Sequence, residues 1–182
     1  MVAKSLHSYS DTLFCILGEF KPKFVFEWGP GVSTQMMSMF ESVEMVVSVE
    51  HDINFYNKLK EWKFENIQFH FKPEMDDYVS AIGDARYDMV FVDGRDRSRC
   101  LECASKLTDL VILHDAARQD YRYAVNQFSY QIWTDEGNTA ILTNSFDVYE
   151  RAKNCLGKMV CATPKPEKVA MVGHSAEKGE VF

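Results

Sequence analysis

No stretch of this 182-residue sequence approaches the roughly 20 consecutive apolar residues that a membrane-spanning helix needs. Polar side chains interrupt residues 1–20 before an apolar block reaches secretory length, and no small-residue cleavage pattern follows them. Cysteine is scarce, and the five thiols are odd in number and lack framework spacing. These absences predict reduced cysteines without disulfides, no membrane partner and a cytoplasmic location.

Basic residues are also in short supply, with 20 Lys and Arg against 27 Asp and Glu and a formal charge of −7. An acidic chain disfavours binding along the phosphates of nucleic acid. The length allows one well-buried core and is too short for two ordinary domains. We therefore expect a single domain over residues 1–161. Residues 162–182 contain few apolar side chains, which predicts a flexible tail.

Five short apolar runs, rich in Val, Phe and Ile, have the length of β-strands. They cover residues 24–28, 45–49, 67–71, 89–92 and 110–113. Stretches with helical spacing lie between them, over residues 34–40, 53–62, 76–82 and 97–107. Strands that alternate with helices in this way are typical of a parallel sheet that helices cover on both faces.

The pattern changes after the fifth apolar run. A helix is predicted over residues 116–128, with Asp115 as its N-cap, because a short acceptor there satisfies free backbone N–H groups. Two further apolar runs, residues 130–133 and 139–143, flank a turn with Gly and Asn at residues 135–138 and predict a β-hairpin. The expected fold is therefore an α/β three-layer sandwich with a mostly parallel, seven-stranded sheet that an antiparallel C-terminal hairpin closes.

The first predicted strand runs into Glu27-Trp28-Gly29-Pro30-Gly31-Val32-Ser33-Thr34 and then into a helix. Glycines at such a turn let the backbone approach a ligand, and the helix N-terminus offers N–H donors. A dinucleotide-binding turn would have Gly at the position of Thr34, so the sequence disfavours the hypothesis that this turn binds a pyrophosphate. Glu27 would repel a pyrophosphate and attract a cationic amino group, such as that of S-adenosylmethionine. The alternative is an ordinary glycine turn beside a solvated Glu.

The second predicted strand ends in Val47-Ser48-Val49-Glu50-His51-Asp52, which places an acid at the carboxyl edge of the sheet. Such an acid accepts hydrogen bonds from the ribose hydroxyls of either a nucleoside or a dinucleotide. His51 or Ile53 is placed to pack on an adenine face, and the alternative is that an aromatic residue after this strand is incidental. The alternative is that Glu50 only caps the helix that follows.

The fourth and fifth predicted strands end near Asp93 and Asp96, and at His114 and Asp115. Because ligands bind at the carboxyl ends of the strands in an open parallel sheet, we expect these side chains to converge beside the cofactor. His114 has an ordinary pKa near neutrality and is the preferred general base, with Asp93 and Asp96 as competitors. The alternative is that His114 only makes an internal hydrogen bond.

Arginines surround the same predicted strand ends. Arg95 follows the fourth strand, and Arg118 follows Asp115 at a spacing that would place both on one helical face. Guanidinium groups suit a carboxylate or a phosphate, so both residues are candidates for binding an acidic acceptor. The alternative is that they form surface ion pairs with the many acidic residues.

The glycine turn, the V-S-V-E-H-D strand end and the segment from Tyr87 to Gly94 resemble class I S-adenosylmethionine-dependent methyltransferases over roughly residues 20–145. Within that superfamily, D-G-R-x-R from Asp93 and H-D-x-x-R-x-x-Y from His114 resemble an uncharacterised methyltransferase-like group often met near carbohydrate-processing functions. The resemblance implies a Rossmann-like fold, S-adenosylmethionine as cofactor and O-methylation of a small or carbohydrate-like acceptor.

The resemblance also implies roles for individual residues. Glu50 and His51 would lie at the ribose and adenine, with residues 75–77 at the adenine edge, and Asp93 would face the methyl group, beside His114 and Asp115. The methionine part would be bound by the turn residues Glu27, Gly29, Pro30, Gly31, Ser33 and Thr34.

Catechol-type O-methyltransferases hold a divalent cation with an Asp after strand four and an Asp-Asn pair after strand five. Here Asp93 and Asp115 match, but Ala116 replaces the Asn. Two carboxylates without a third oxygen ligand make a poor magnesium site, so the sequence favours a site without a metal.

Two other functions remain open from the sequence. An NAD(P)-dependent oxidoreductase is disfavoured by Thr34 and by the lack of an evident Tyr-x-x-x-Lys pair. A module that binds a nucleoside without catalysis is the third possibility, because the chain has little room for a lid over the substrate. A second copy of the chain in a homo-oligomer is one way to complete the pocket.

Overall fold

The computed structural model describes residues 9–134 and 138–159. The strands are β1 Phe24–Trp28, β2 Met45–Glu50, β3 Ile67–Phe71, β4 Met89–Val92, β5 Val111–His114, β6 Tyr130–Thr134 and β7 Thr139–Thr143. They form one sheet in the order β3-β2-β1-β4-β5-β7-β6. The first five strands are parallel, and β7 runs antiparallel to both β5 and β6. The predicted fold class is confirmed, including the antiparallel C-terminal pair.

The helices pack on both faces of this sheet. They are α1 Tyr9–Phe20, α2 Val32–Ser38, α3 Ile53–Leu59, α4 Met75–Val79, α5 Arg97–Ala104, α6 Arg122–Val125 and α7 Phe146–Met159, with 3-10 helices at Ser80–Ile82 and Gln119–Tyr121. In the described residues, none of them is long and apolar enough to cross a membrane. The sequence did not predict α1 or α7.

The helix predicted over residues 116–128 is wrong. Asp115 has a φ of 53°, so the chain turns in the left-handed region where a helix N-cap would need extended backbone. Helical structure resumes only with the 3-10 helix at Gln119–Tyr121 and the short α6. Arg118 therefore does not share a helical face with Asp115, although the two side chains do meet.

Two apolar clusters fill the space between sheet and helices. Leu13 of α1 and Val25 of β1 belong to one cluster, whereas Phe26 and Leu101 belong to the other. Successive residues of β1 point to opposite faces, so Glu27 lies on the same face as Val25, below α2. Both faces of the central strands β1, β4, β5 and β7 are buried, which explains their nearly continuous apolar sequences, whereas the edge strands β3 and β6 are only partly buried.

A disulfide joins Cys15 of α1 to Cys155 of α7, with 6.5 Å between their Cα atoms. The prediction of reduced cysteines is wrong for this pair, because two residues 140 positions apart show no framework spacing in the sequence. With this bond the cysteine content no longer indicates a reducing compartment. Cys100 and Cys103 are free thiols. Cys161, the predicted tail over residues 162–182 and most of the predicted turn at residues 135–138 lie outside the described residues.

Candidate functional site

Two glycines bring the turn after β1 against the end of β4. Gly29 has a φ of 86°, and a Cβ there would lie 2.5 Å from the Cα of Gly94. A Cβ on Gly94 would in turn overlap the hydroxyl of Tyr78. Both positions therefore require glycine for the fold. Gly31 differs, because it is extended and a Cβ there would meet no atom within 4 Å.

Glu27 is fully buried behind this turn and accepts three hydrogen bonds from hydroxyls. The donors are Ser33 Oγ at 2.5 Å, Thr34 Oγ1 at 2.6 Å and Ser48 Oγ at 2.5 Å. Thr34 Oγ1 also accepts a hydrogen bond from the N–H of Gly31 at 2.8 Å. Burial raises the pKa of Glu27 to about 7, against the opposing effect of the hydroxyls.

The cluster of Glu27, Ser33, Thr34 and Ser48 thus ties β1, β2 and the start of α2 to one another. Thr34 stands where a dinucleotide-binding turn would have Gly, and its hydroxyl is used to fix the turn. The alternative of a solvated Glu27 does not hold. Direct contact of Glu27, Ser33 or Thr34 with a cofactor remains a prediction, because none of them lines the cleft in front of the turn.

The cleft lies at the carboxyl ends of β1, β2 and β4 and has a volume of about 430 Å³. Its lining residues are Gly29, Pro30, Glu50, His51, Asp93, Gly94, Arg95, Asp96, Arg97, Arg118 and Tyr121. Predicted cofactor residues and predicted acceptor residues therefore meet in one cleft. Gly31, His114 and Asp115 do not line it.

Glu50 is buried at the edge of the cleft and holds a defined orientation. Its Oε1 accepts hydrogen bonds from the backbone N–H groups of His51 and Asp52, both at 2.7 Å. Within the described residues its Oε2 has no hydrogen-bond partner. Asp52 caps α3, with its Oδ1 accepting from the N–H groups of Asn54 and Phe55. Glu50 therefore does not serve as the cap, and one of its oxygens is available to a ligand.

His114 lies beside Asp93 at the ends of neighbouring strands. Its Nδ1 is 2.9 Å from Asp93 Oδ1, and its Nε2 is 4.0 Å from Asp115 Oδ1. The hydrogen bond to Asp93 raises the pKa of His114, against the opposing effect of partial burial. The ring of Tyr9 lies above it, with 4.6 Å between centroids. Asp93 lines the cleft, so His114 reaches the cleft through its partner.

Arg97 is a buried cation that the sequence did not single out as a site residue. Its Nη2 lies 2.9 Å from Asp93 Oδ1, and its Nη1 lies 3.5 Å from Asp115 Oδ2. Its guanidinium also donates to the backbone carbonyls of Asp93, Gly94 and His114. The second Arg of the D-G-R-x-R segment was the available signal. Arg95, Arg97 and Arg99 occupy every second position, and this spacing gave no reason to choose Arg97 among the three.

The two arginines that were predicted to bind an acceptor differ in their contacts. Arg118 is exposed and pairs with Asp115, with 2.9 Å between Nη2 and Oδ2. Arg95 is also exposed and lines the cleft, and within the described residues it forms no ion pair. The guanidinium N–H groups of Arg95 are therefore available to an anion. Arg118 would have to break or share its ion pair with Asp115 to bind one.

Comparison with solved structures identifies similar folds at low sequence identity. A methyltransferase-like protein from Silicibacter pomeroyi is 17% identical, with a TM-score of 0.60, 78% of this chain and 87% of that chain covered. An O-methyltransferase from Bacillus cereus, in complex with SAH, is 13% identical, with a TM-score of 0.54 and coverage of 75% and 81%. Spermidine synthase from Thermotoga maritima is 13% identical, with a TM-score of 0.54 and coverage of 78% and 62%.

No protein-family model matches the chain, and no curated protein matches it in sequence. The structural neighbours include methyltransferases, one of them in complex with SAH, and the chain has their Rossmann-like fold. Because a spermidine synthase has the same fold, the fold alone does not specify the group that is transferred.

Proposed function

We propose that this protein is an S-adenosylmethionine-dependent methyltransferase that methylates a hydroxyl of a small or carbohydrate-like acceptor with an anionic group. The observation that carries the proposal is the free Oε2 of Glu50. The backbone N–H groups of His51 and Asp52 hold its other oxygen, and the residue lines the same cleft as Gly29 and Asp93. A fixed carboxylate beside a glycine turn at the end of β2 suits a ribose with two hydroxyls.

The cleft would divide into a cofactor end and an acceptor end. Gly29, Pro30 and Gly31 would surround the methionine part, and Glu27 would hold that turn through its three hydroxyl donors. Glu50 would accept the ribose hydroxyls, with His51 beside the adenine. S-adenosylmethionine supplies an electrophilic methyl group, so the chain itself has only to orient the acceptor and take its proton.

Asp93 and His114 are the proposed proton acceptors. Asp93 lines the cleft and would take the acceptor's proton directly, and His114 Nδ1, 2.9 Å from Asp93 Oδ1, would share that proton. Arg95 would bind the anionic group of the acceptor, with Arg118 as the second candidate. Once an acceptor is identified, His114→Ala should keep cofactor affinity and lower the rate by roughly a hundredfold or more. Turnover equal to wild type would transfer the role to Asp93 or Asp96.

Cofactor binding separates one alternative function from this proposal, and methyl transfer separates the other. A dinucleotide oxidoreductase should bind NADH, which the use of the Thr34 hydroxyl inside the turn disfavours. A non-catalytic module should bind S-adenosylhomocysteine and yet transfer no methyl group to any acceptor. Calorimetric titration with S-adenosylhomocysteine and with NADH decides the cofactor class. Micromolar or tighter binding of the first with none of the second supports the proposal, and the reverse result overturns it.

A further inference from the structure

We propose that the Arg97 guanidinium takes the place of a divalent cation between Asp93 and Asp115, so that the site works without a metal. The proposal deepens the function proposed above, but its test measures metal binding and needs no methyl transfer. The two ideas can therefore fail separately.

On distance alone, three side chains at this site suit a metal. The candidate ligand atoms of Asp93, His114 and Asp115 all lie within 4.8 Å of one another. Each residue, however, already has a partner. Asp93 Oδ1 lies 2.9 Å from both His114 Nδ1 and Arg97 Nη2, and Asp115 Oδ2 lies 2.9 Å from Arg118 Nη2.

Charge balance points to the same conclusion. The carboxylates of Asp93 and Asp115 carry two negative charges, and the guanidiniums of Arg97 and Arg118 supply two positive charges. With neutral His114, the group has no charge left for a divalent ion to neutralise. Arg97 cannot lose its proton in a protein, so an entering metal would have to share both carboxylates with a permanent cation.

The position of Arg97 is fixed by contacts that a metal would not replace. Its Nε donates to Gly94 O at 2.9 Å, its Nη2 to Asp93 O at 2.7 Å, and its Nη1 to His114 O at 2.5 Å. These carbonyls follow β4 and end β5, and the Tyr121 ring covers the guanidinium at 5.7 Å. Moving the guanidinium would leave a buried charge and three carbonyl groups without hydrogen-bond partners. We therefore expect Arg97 to stay in place. Arg97 is thus a positioning residue as well as a fixed positive charge.

The test measures Mn²⁺ binding by electron paramagnetic resonance in the wild-type protein, in Arg97→Ala and in Arg99→Ala. Arg99 is the matched control, because it lies on the same helix and pairs with Asp76 and Asp96 rather than with Asp93 or Asp115. We expect wild type and Arg99→Ala to bind no Mn²⁺ at 100 µM. Arg97→Ala should bind Mn²⁺ with a dissociation constant at least tenfold below that concentration. Asp115→Asn in the Arg97→Ala background should remove that gain.

Two results would overturn the proposal: wild-type binding of Mn²⁺ that Asp115→Asn abolishes, or a folded Arg97→Ala protein that gains no affinity. Circular dichroism establishes whether Arg97→Ala folds. If it does not, Arg97→Lys keeps a cation but cannot bridge the three carbonyls. Arg97→Lys should then still exclude Mn²⁺ while losing thermal stability, and binding of Mn²⁺ to the folded Lys variant would count against the proposal.

Discussion

Asp93 Oδ1 lies 2.9 Å from His114 Nδ1, across the gap between two parallel strands that end side by side. The same oxygen contacts Arg97, so the carboxylate divides its charge between a permanent cation and a titratable one. The pKa of His114 therefore reports whether the contact between His114 and Asp93 exists in solution.

Asp93→Asn should lower the pKa of His114, because an amide cannot supply the charge that favours the imidazolium. In the wild-type protein we expect that pKa to lie above the ordinary histidine value of 6.5. A pKa raised on folding contributes stability below the unfolded pKa, and that stability is lost as pH rises through the folded pKa. Histidine C2–H shifts measured by NMR against pH give the pKa, with His114→Gln for assignment. An unchanged pKa in Asp93→Asn would refute the pairing.

Glu27→Gln should flatten the dependence of stability on pH. The pKa of Glu27 rises from 4.5 to about 7 on burial, which corresponds to a cost of ionisation on the order of 3 kcal/mol. The folded protein then binds more protons than the unfolded chain between those values, so wild-type stability falls as pH rises through this window. Urea unfolding between pH 4.5 and 8 measures the slope in both proteins. Equal slopes would mean that Glu27 ionises without cost.

Gly31→Asp and Gly94→Ala should fail in different ways. Gly31 faces open space, so the Asp variant should fold and lose more than tenfold in affinity for S-adenosylhomocysteine, because a carboxylate would enter the proposed cofactor space. Gly94→Ala should lose thermal stability, since its Cβ would overlap the Tyr78 hydroxyl. Thermal denaturation and calorimetry on both proteins separate the two effects. A Gly31→Asp protein with wild-type affinity would remove this turn from the cofactor site.

Glu50→Ala should lower affinity for S-adenosylhomocysteine at least tenfold, because charge-assisted hydrogen bonds contribute about 1.5 to 3 kcal/mol each. Asp52→Ala is the matched control. It removes the cap of α3 and should cost about 1 kcal/mol in unfolding free energy with little change in affinity. Calorimetry and urea denaturation measure the two quantities. If Glu50→Ala lost less than threefold, the free oxygen would have no ribose to bind.

The central strands could be predicted because they are buried on both faces and therefore appear as nearly uninterrupted apolar runs, and the edge strand β3 because every second residue is apolar. Helix α1 could also have been found, since Leu13, Ile16, Leu17 and Phe20 have helical spacing. The false helix after Asp115 has a different cause. Its apolar residues Ala124, Val125 and Phe128 do pack into the core, but a positive φ at Asp115 delays the start of helical structure, and periodicity does not report that angle.

Among the site residues, too, some positions could be predicted from the sequence and others could not. Glu50 could be predicted from its place at the end of β2, because that position depends only on the strand and its direction. The burial of Arg97 could not, since it depends on carbonyls at the ends of two strands and on Asp115. Where several charged residues are neighbours in the sequence, the sequence does not indicate which of them will be buried.

The bond between Cys15 and Cys155 closes residues 15–155 into a covalent ring that contains every strand of the sheet. By loop-closure entropy, a ring of this size is worth roughly 5 kcal/mol relative to the open chain. A single protease cut within the ring would leave both fragments joined. Nicked protein should therefore migrate as one species on a gel without reductant and separate into two pieces after reduction. The bond also ties α1 to α7 at Cys15, and Tyr9, which contacts His114, lies on the same helix just before the ring. A cut elsewhere in the backbone therefore need not release Tyr9 from the site.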